Sequence, residues 1–262
     1  MKATARVAAV ADCGRTRLVT LRSQTPLLVR RTGPRNARGE TEVHFVGGAA
    51  GPLGGDHLRI EIEVGPGAQL CVRTVAASLA LPGAGGEQSL LEVHATVAAG
   101  GTLRWLPEPL IAARGCDHVS RSTVELEEGA RLEWREELVC GRHGEEPGDA
   151  RLDSTVRHGG RTLLRQELAV GPRAPAWDGP AVLAGARATG SLLLVDPLWT
   201  GNPPPPAILG PTAAQMPLPG PALLIVATGT PQTVHTHLTP LPLPAALPAP
   251  AFPVDQGQTA AV

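Results

Sequence analysis

Aromatic side chains are almost missing from this chain of 262 residues, which has no tyrosine, two phenylalanines and four tryptophans. A surface that stacks bases needs rings to do it, so the composition argues against single-stranded nucleic-acid binding. The same poverty leaves little for the exposed platform of a carbohydrate-binding or adhesion module. Cysteine is scarce too. Cys13, Cys71, Cys116 and Cys140 form no CxxC pair and keep no regular spacing, so neither a disulfide framework nor a zinc site can be read from them. No stretch approaches the roughly 18 uninterrupted apolar residues of a membrane-spanning helix. The opening MKATARVAAVADCGR is interrupted by Arg6 and Asp12 before it resembles a secretory leader, and a cytoplasmic protein is expected. Also absent are a nucleophile elbow, a flanked Cys/His/Asn set and a phosphate-cradling glycine loop, so no enzyme is expected.

What the chain has in quantity is glycine, 31 residues, and proline, 27, a balance that favours turns and short strands over long helices. Charge is uneven although the net is −1. Residues 1–50 hold nine Lys/Arg against three Asp/Glu, and residues 51–150 hold eight against sixteen. Most of these fall at outward strand positions, where they make ordinary solvated faces.

The clearest local signal is Leu58–Val64, in which Leu58, Ile60, Ile62 and Val64 alternate with Arg59, Glu61 and Glu63. Such alternation predicts a strand with one buried and one wet face. Gly65-Pro66-Gly67 supplies a turn, and Ala68, Leu70 and Val72 resume the apolar positions, so the segment reads as a hairpin. The pattern recurs over Glu92–Trp105, turning at Gly100-Gly101, and over Thr123–Glu136, turning at Gly129. A weaker copy, Asp153–Leu164, turns at Gly159-Gly160. The turn glycines Gly67, Gly101, Gly129 and Gly160 lie 34, 28 and 31 residues apart. No such unit buries its apolar face alone, so stacking into a β-solenoid or a wide sandwich is expected. Before the repeats, Ala5–Val10, Arg17–Arg22, Leu27–Arg31 and Glu42–Val46 read as short strands. Beyond residue 170 the reading is a short helix at Ala181–Ala188 and strands at Gly190–Val195 and Ala222–Ala227. Asn202–Pro206 and Pro211–Pro221 read as extended spacers. A short helix is capped by Thr230 with Pro231 in its first turn. One β domain over 1–239 and a Pro/Ala-rich tail without fixed structure over 240–262 complete the picture.

Two histidine pairs invite a metal reading, Cys116/His118 on one strand face and His235/His237, but neither has further ligands at a fixed offset. Polar residues at inward positions are more informative. Strand alternation turns Asp56, Thr74, Ser78 and Glu136 toward the interior. A carboxylate there needs a partner or water. Arg142, in a nearby loop, offers a buried bridge to Asp56 or Glu136; the alternative is a hydrated passage.

Four segments in order carry a family resemblance. They are GRTRLVTL ending at Leu21, Gly51-Pro52-Leu53-Gly54-Gly55-Asp56 with its alternating strand and GPGA turn, Trp105-Leu106-Pro107-Glu108, and Gly141-Arg142 followed by Gly144-Glu145. Together they resemble the urease accessory protein UreD (UreH) family over roughly residues 6–195. The resemblance implies a mainly β fold, an irregular β-helical stack of strands with a few short helices near the C-terminal third. It implies a non-catalytic chaperone that binds urease apoprotein and the UreF and UreG accessory proteins, and that passes a transient nickel ion through an internal polar channel without holding it tightly. By the same resemblance Asp56, Ser78, Glu136, Arg142 and Glu145 fall on the channel or metal-transfer positions, with His235 and His237 as secondary metal candidates. The family's C-terminal segment, with tryptophan and arginine on a helix, is replaced here by proline-rich sequence.

Overall fold

The computed structural model describes residues 1–33 and 40–239; the tail expected at 240–262 lies outside the described residues, as does most of the Arg-bearing loop 33–39. In chain order the strands of the first half are β1 (Lys2–Asp12), β2 (Arg15–Arg22), β3 (Leu27–Arg31), β4 (Thr41–Gly47), β5 (His57–Val64), β6 (Gln69–Thr74), β7 (Ser78–Ala80), β8 (Ser89–Val97) and β9 (Thr102–Leu106). There follow β10 (Leu110–Ala112), β11 (Asp117–Leu126), β12 (Arg131–Val139), β13 (Asp149–His158), β14 (Arg161–Val170), β15 (Ala188–Val195), β16 (Ala207–Gly210), β17 (Ala213–Leu218), β18 (Ala222–Gly229) and the helix α1 (Pro231–His237). The protein is mainly β, as the alternation and the resemblance both imply.

The strands form two facing sheets, ordered β14-β13-β11-β8-β5-β1-β2 and β16-β17-β18-β15-β12-β9-β6-β4-β3. Successive units lie in parallel within each sheet: β1, β5, β8, β11 and β13 in the first, β4, β6, β9 and β12 in the second. The expected hairpins are therefore not hairpins. β5 and β6 belong to opposite sheets, as do β8 and β9, and β11 and β12. Their links, residues 65–68, 98–101 and 127–130, are four-residue arches that carry the chain across the core. The third residue of each arch is a glycine with positive φ, Gly67 at 67°, Gly100 at 71° and Gly129 at 84°. Of the four repeat turns, Gly159-Gly160 alone, a two-residue link with both φ values positive, folds back as an antiparallel hairpin, between β13 and β14.

Parallel stacking lines equivalent residues into columns between the sheets. Val7, Ile62, Ala95, Val124 and Val156 make one, and Val72, Trp105 and Trp134 another, with the two indoles stacked at 5.3 Å. One step along the first sheet the column Ala5, Ile60, Val93 turns polar, continuing as Ser122 and Ser154.

At that same level the second sheet is interrupted. The ladder from β6 through β9 ends at Leu106, where Pro107 and Pro109 withdraw two backbone donors. The freed carbonyls of Leu106 and Pro107 accept from the Arg135 guanidinium at 3.5 and 2.8 Å. Pairing resumes beyond the gap, where the short strand β10 joins β7 to β12.

The C-terminal third differs from the sequence reading in two places. Residues 172–185 run through turns rather than a helix at 181–188: Ala184 and Gly185 take φ values of 49° and 77°, and Ala188 already pairs with Val139 and Gly229 in the sheet. The second proline-flanked spacer contains β17, paired on both sides by β16 and β18. The predicted cap holds: the Thr230 hydroxyl accepts from the Thr233 amide and Pro231 opens α1, which ends at His237. Val234 and Leu238 seat the helix on the outer face of the second sheet, among Cys71, Leu106 and Leu192. A side chain at Gly190 would place its Cβ 2.6 Å from Leu238, so this close seat depends on glycine.

Candidate functional site: an internal cavity and Glu136

The gap behind Pro107 opens into a cavity of about 420 Å³ between the sheets. Its walls are largely apolar, with Phe45, Leu58, Ile60, Leu91 and Trp105 among them. Polar residues of both sheets join the wall, Ser120 and Ser122 from the first and Thr74, Ser78, Glu136 and Glu137 from the second, together with Glu108 beyond the gap. The Thr74 hydroxyl joins the two edges of the gap, accepting from the Glu108 amide and donating to the Ala76 carbonyl, both at 2.9 Å. A second cavity of about 160 Å³ lies beyond, walled by Gln166, Thr189, Ser191, Thr212 and Thr228. The two cavities share just two wall residues, Glu136 and Leu152.

Glu136 projects inward from β12, one step beyond Trp134. Its Oε1 accepts from Ser122 Oγ at 2.8 Å, Ser154 Oγ at 2.8 Å and Trp134 Nε1 at 3.2 Å. Ser154 Oγ also lies 2.6 Å from Oε2. The hydrogen-bond partners of this carboxylate are neutral donors, and Oε2 is its less crowded oxygen. Strand alternation identifies Glu136 as inward. It does not identify Ser122 and Ser154, whose signal is a hydroxyl standing where the repeat elsewhere places Ile60 and Val93.

The remaining sequence candidates fall in different places. Ser78 opens β7 on the wall of the larger cavity. Asp56 is buried but faces another way: Oδ1 accepts from the Met1 amino group at 2.7 Å and Oδ2 from the Leu53 amide at 3.0 Å. It braces the Gly51–Leu53 loop, whose residues Gly51 and Pro52 do line the cavity. Arg142 bridges neither Asp56 nor Glu136. It pairs with Glu145 across 2.6 and 2.9 Å on the surface after β12. That hydrogen-bonded pair, helped by the Arg142 and Arg114 amides, holds the Glu145 carboxyl down at about 2. Neither residue lines either cavity.

His235 and His237 do not converge on a common point, since residues two apart on a helix face different ways. His235 Nδ1 meets Glu137 at 3.1 Å, and His237 lies beside Gly210. In the other pair, burial pushes the Cys116 thiol up to about 11 and pulls His118 down to about 4, so thiolate and imidazolium are both disfavoured. His118 Nδ1 is instead 2.9 Å from Ser89 Oγ. Among the described residues no group of three or more His, Cys, Asp or Glu is placed to hold a metal.

On the opposite face of β12 the charges close on one another. Arg104 donates to Glu133 at 2.6 Å and to Glu40 at 2.7 Å, all three buried. Burial opposes the guanidinium charge there, but Glu133 and Glu40 hold it above its ordinary value. Arg135 lies 3.0 Å from Glu137, and burial lowers the one and raises the other. Cys71, beside Arg104, is pushed up to about 11 by burial.

Glu136 thus stands between two cavities, the larger walled in part by Trp105, Pro107 and Glu108 and by Gly51 and Pro52. The family model described as UreD urease accessory protein matches residues 1–223. The chain belongs to the UreD family. It is 48% identical over 229 residues to the urease accessory protein UreD of Streptomyces avermitilis, covering 87% of this chain and 90% of that one. The UreD of Streptomyces coelicolor is 47% identical over 229 residues, covering 87% and 89%. UreD 2 of Saccharopolyspora erythraea is 44% identical over 241 residues, covering 90% and 84%. Membership places the chain in urease maturation. No helix among the described residues is long and apolar enough to cross a membrane.

Proposed function

We propose that this UreD-family chain is a non-catalytic scaffold that binds urease apoprotein together with UreF- and UreG-type accessory proteins in the cytoplasm. In this reading a transient nickel ion, the cargo, moves between the sheets through the two cavities and past Glu136. The observation that carries it is the position of Glu136, a carboxylate with neutral donors on the wall common to both cavities. Oxygen atoms are suitable way-stations for a divalent ion, because they release it more readily than thiolates. The three buried thiols, Cys71, Cys116 and Cys140, are each raised to about 11 and lie off both cavity walls. Ser78 and Thr74 line the approach in this reading, while Asp56 shapes the rim through the Gly51–Leu53 loop. Arg142 and Glu145 take an outer role, bracing the loop after β12.

The test is the nickel content of urease apoprotein activated with the accessory proteins and either the wild-type chain or Glu136→Ala. A several-fold fall in nickel per urease, with the variant still assembled with its partners, is expected. Unchanged nickel content would remove Glu136 from the path.

A further inference from the structure

The larger cavity has two properties that together describe one kind of occupant. Its wall carries three carboxylates, Glu108, Glu136 and Glu137, and no Lys, Arg or His among the described residues. Most of the rest is hydrocarbon, and of the six aromatic residues in the chain two, Phe45 and Trp105, stand on this wall. Its 420 Å³ falls within the range of about 300–1,000 Å³ of small-molecule pockets, which combine apolar walls with a few convergent polar groups.

The rings and the acid are set in a fixed relation. Phe45 meets Trp105 edge-on at 6.4 Å, and Trp134 stacks on Trp105 at 5.3 Å, which holds the Trp105 ring in place. Trp105 pairs in register with Trp134, and Glu136 is the next inward residue on β12. One strand spacing and one inward step thus separate Trp105 from Glu136, roughly 8 Å between backbones. Opposite them, Leu58, Ile60 and Leu91 of the first sheet close the apolar side. Glu137 already has Arg135 at 3.0 Å. Glu136 has serine hydroxyls and an indole N–H for partners, so it is the acid left to meet a cation in the cavity.

We infer that the larger cavity is a binding site for a small organic ammonium ion with an aromatic body. The ring lies against Phe45 and Trp105, where burial of apolar area holds it, and the ammonium donates to Glu136 Oε2. Oε2 has one hydroxyl beside it, Ser154, against three donors on Oε1. A neutral ligand of the same shape loses the ion pair, and an anion meets three carboxylates. An alkylammonium without a ring loses the aromatic contact. The site does not depend on the nature of the cargo; in the proposed function its ligand would hold Glu136 against the passing ion.

The experiment titrates the full-length chain, free of metal, with 2-naphthylmethylammonium by calorimetry at neutral pH. The comparison compounds are 2-naphthylmethanol, 2-naphthoate and n-butylammonium, the last standing for a lysine side chain. The aromatic ammonium is expected to bind at least about tenfold more tightly than the alcohol or n-butylammonium, and 2-naphthoate not at all. Glu136→Gln should bring the ammonium down to the level of the alcohol and leave the alcohol unchanged, which a general loss of packing would not do. If Glu136→Gln does not fold, photolabelling of the wild-type chain with 4-azidobenzylammonium takes its place, with label expected in peptides that hold Leu58, Leu91 or Trp105. Absence of binding, an alcohol or n-butylammonium equal to the aromatic ammonium, or binding of 2-naphthoate overturns the site. So does indifference to Glu136→Gln, or label elsewhere. None of these outcomes bears on the nickel content of urease, which Glu136→Ala tests separately.

Discussion

Strand β12 carries acids on both faces, and the two faces use them in opposite ways. Outward, Glu133 lies 2.6 Å from Arg104 and Glu137 lies 3.0 Å from Arg135, all four buried, although Glu137 also reaches the wall of the larger cavity. Inward, Glu136 meets two serines and an indole, next to open volume. A buried carboxylate beside a guanidinium, as Glu133 is, has a counter-ion within the fold, whereas Glu136 meets only neutral donors. The first arrangement holds the sheet; in the proposed function the second takes a cation and lets it go. Adjacent residues on one strand thereby divide between holding the sheet and serving the cavity.

Breaking the outer face has the largest expected effect. Arg104→Met leaves Glu40 and Glu133 buried without their shared guanidinium, which costs about 3–5 kcal/mol. Urea unfolding should show this as a lower midpoint. On the inner face, Glu136→Gln changes stability by no more than about 1 kcal/mol. Equal losses in the two variants would erase the contrast.

A smaller effect comes from His118, a fully buried residue on β11 that lines neither of the cavities beside Glu136. Burial holds its folded-state value near 4, below the ordinary 6.5. The unfolded chain therefore binds the proton first, and stability falls as pH drops through 6.5, levelling off below about 4. The full loss is roughly 3 kcal/mol, and His118→Gln should flatten that part of a stability-against-pH curve. A curve unchanged by the substitution would mean that His118 is not shielded from solvent in the folded chain.

The smallest effect is expected at Arg142 and Glu145, where opposite charges also meet but on the surface. The carboxyl is held at about 2 against an ordinary 4.5, so its contribution is present above pH 4.5 and is lost as pH falls toward 2. Arg142→Ala should flatten that acid-range slope and lower stability at neutral pH by the same amount, a small one because the pair is exposed. Neutral-pH destabilisation matching that of Arg104→Met would show that exposure does not separate these pairs.

Much of this was legible before any coordinates. Strand positions, the inward direction of Glu136 and the capped helix at Thr230 follow from local periodicity and turn chemistry. The arches did not follow, because a glycine turn looks alike whether the next strand returns to its own sheet or crosses to the other. Link length separates them: four residues at 65–68, 98–101 and 127–130, two at 159–160. The expected helix at 181–188 failed for a related reason, since Ala188 is claimed by a sheet whose other strands are distant in sequence.

Within the strands, which residues look inward was settled by the order of the amino acids, because side chains alternate with a period of two; Asp56, just ahead of β5, escaped that rule. What each of them meets was settled by tertiary structure. Ser122 and Ser154 reach Glu136 from the opposite sheet, and Asp56 spends its charge on Met1, 55 positions away. Alternation is a property of neighbouring peptides, but a partner across the core exists only once two sheets have closed over the same space.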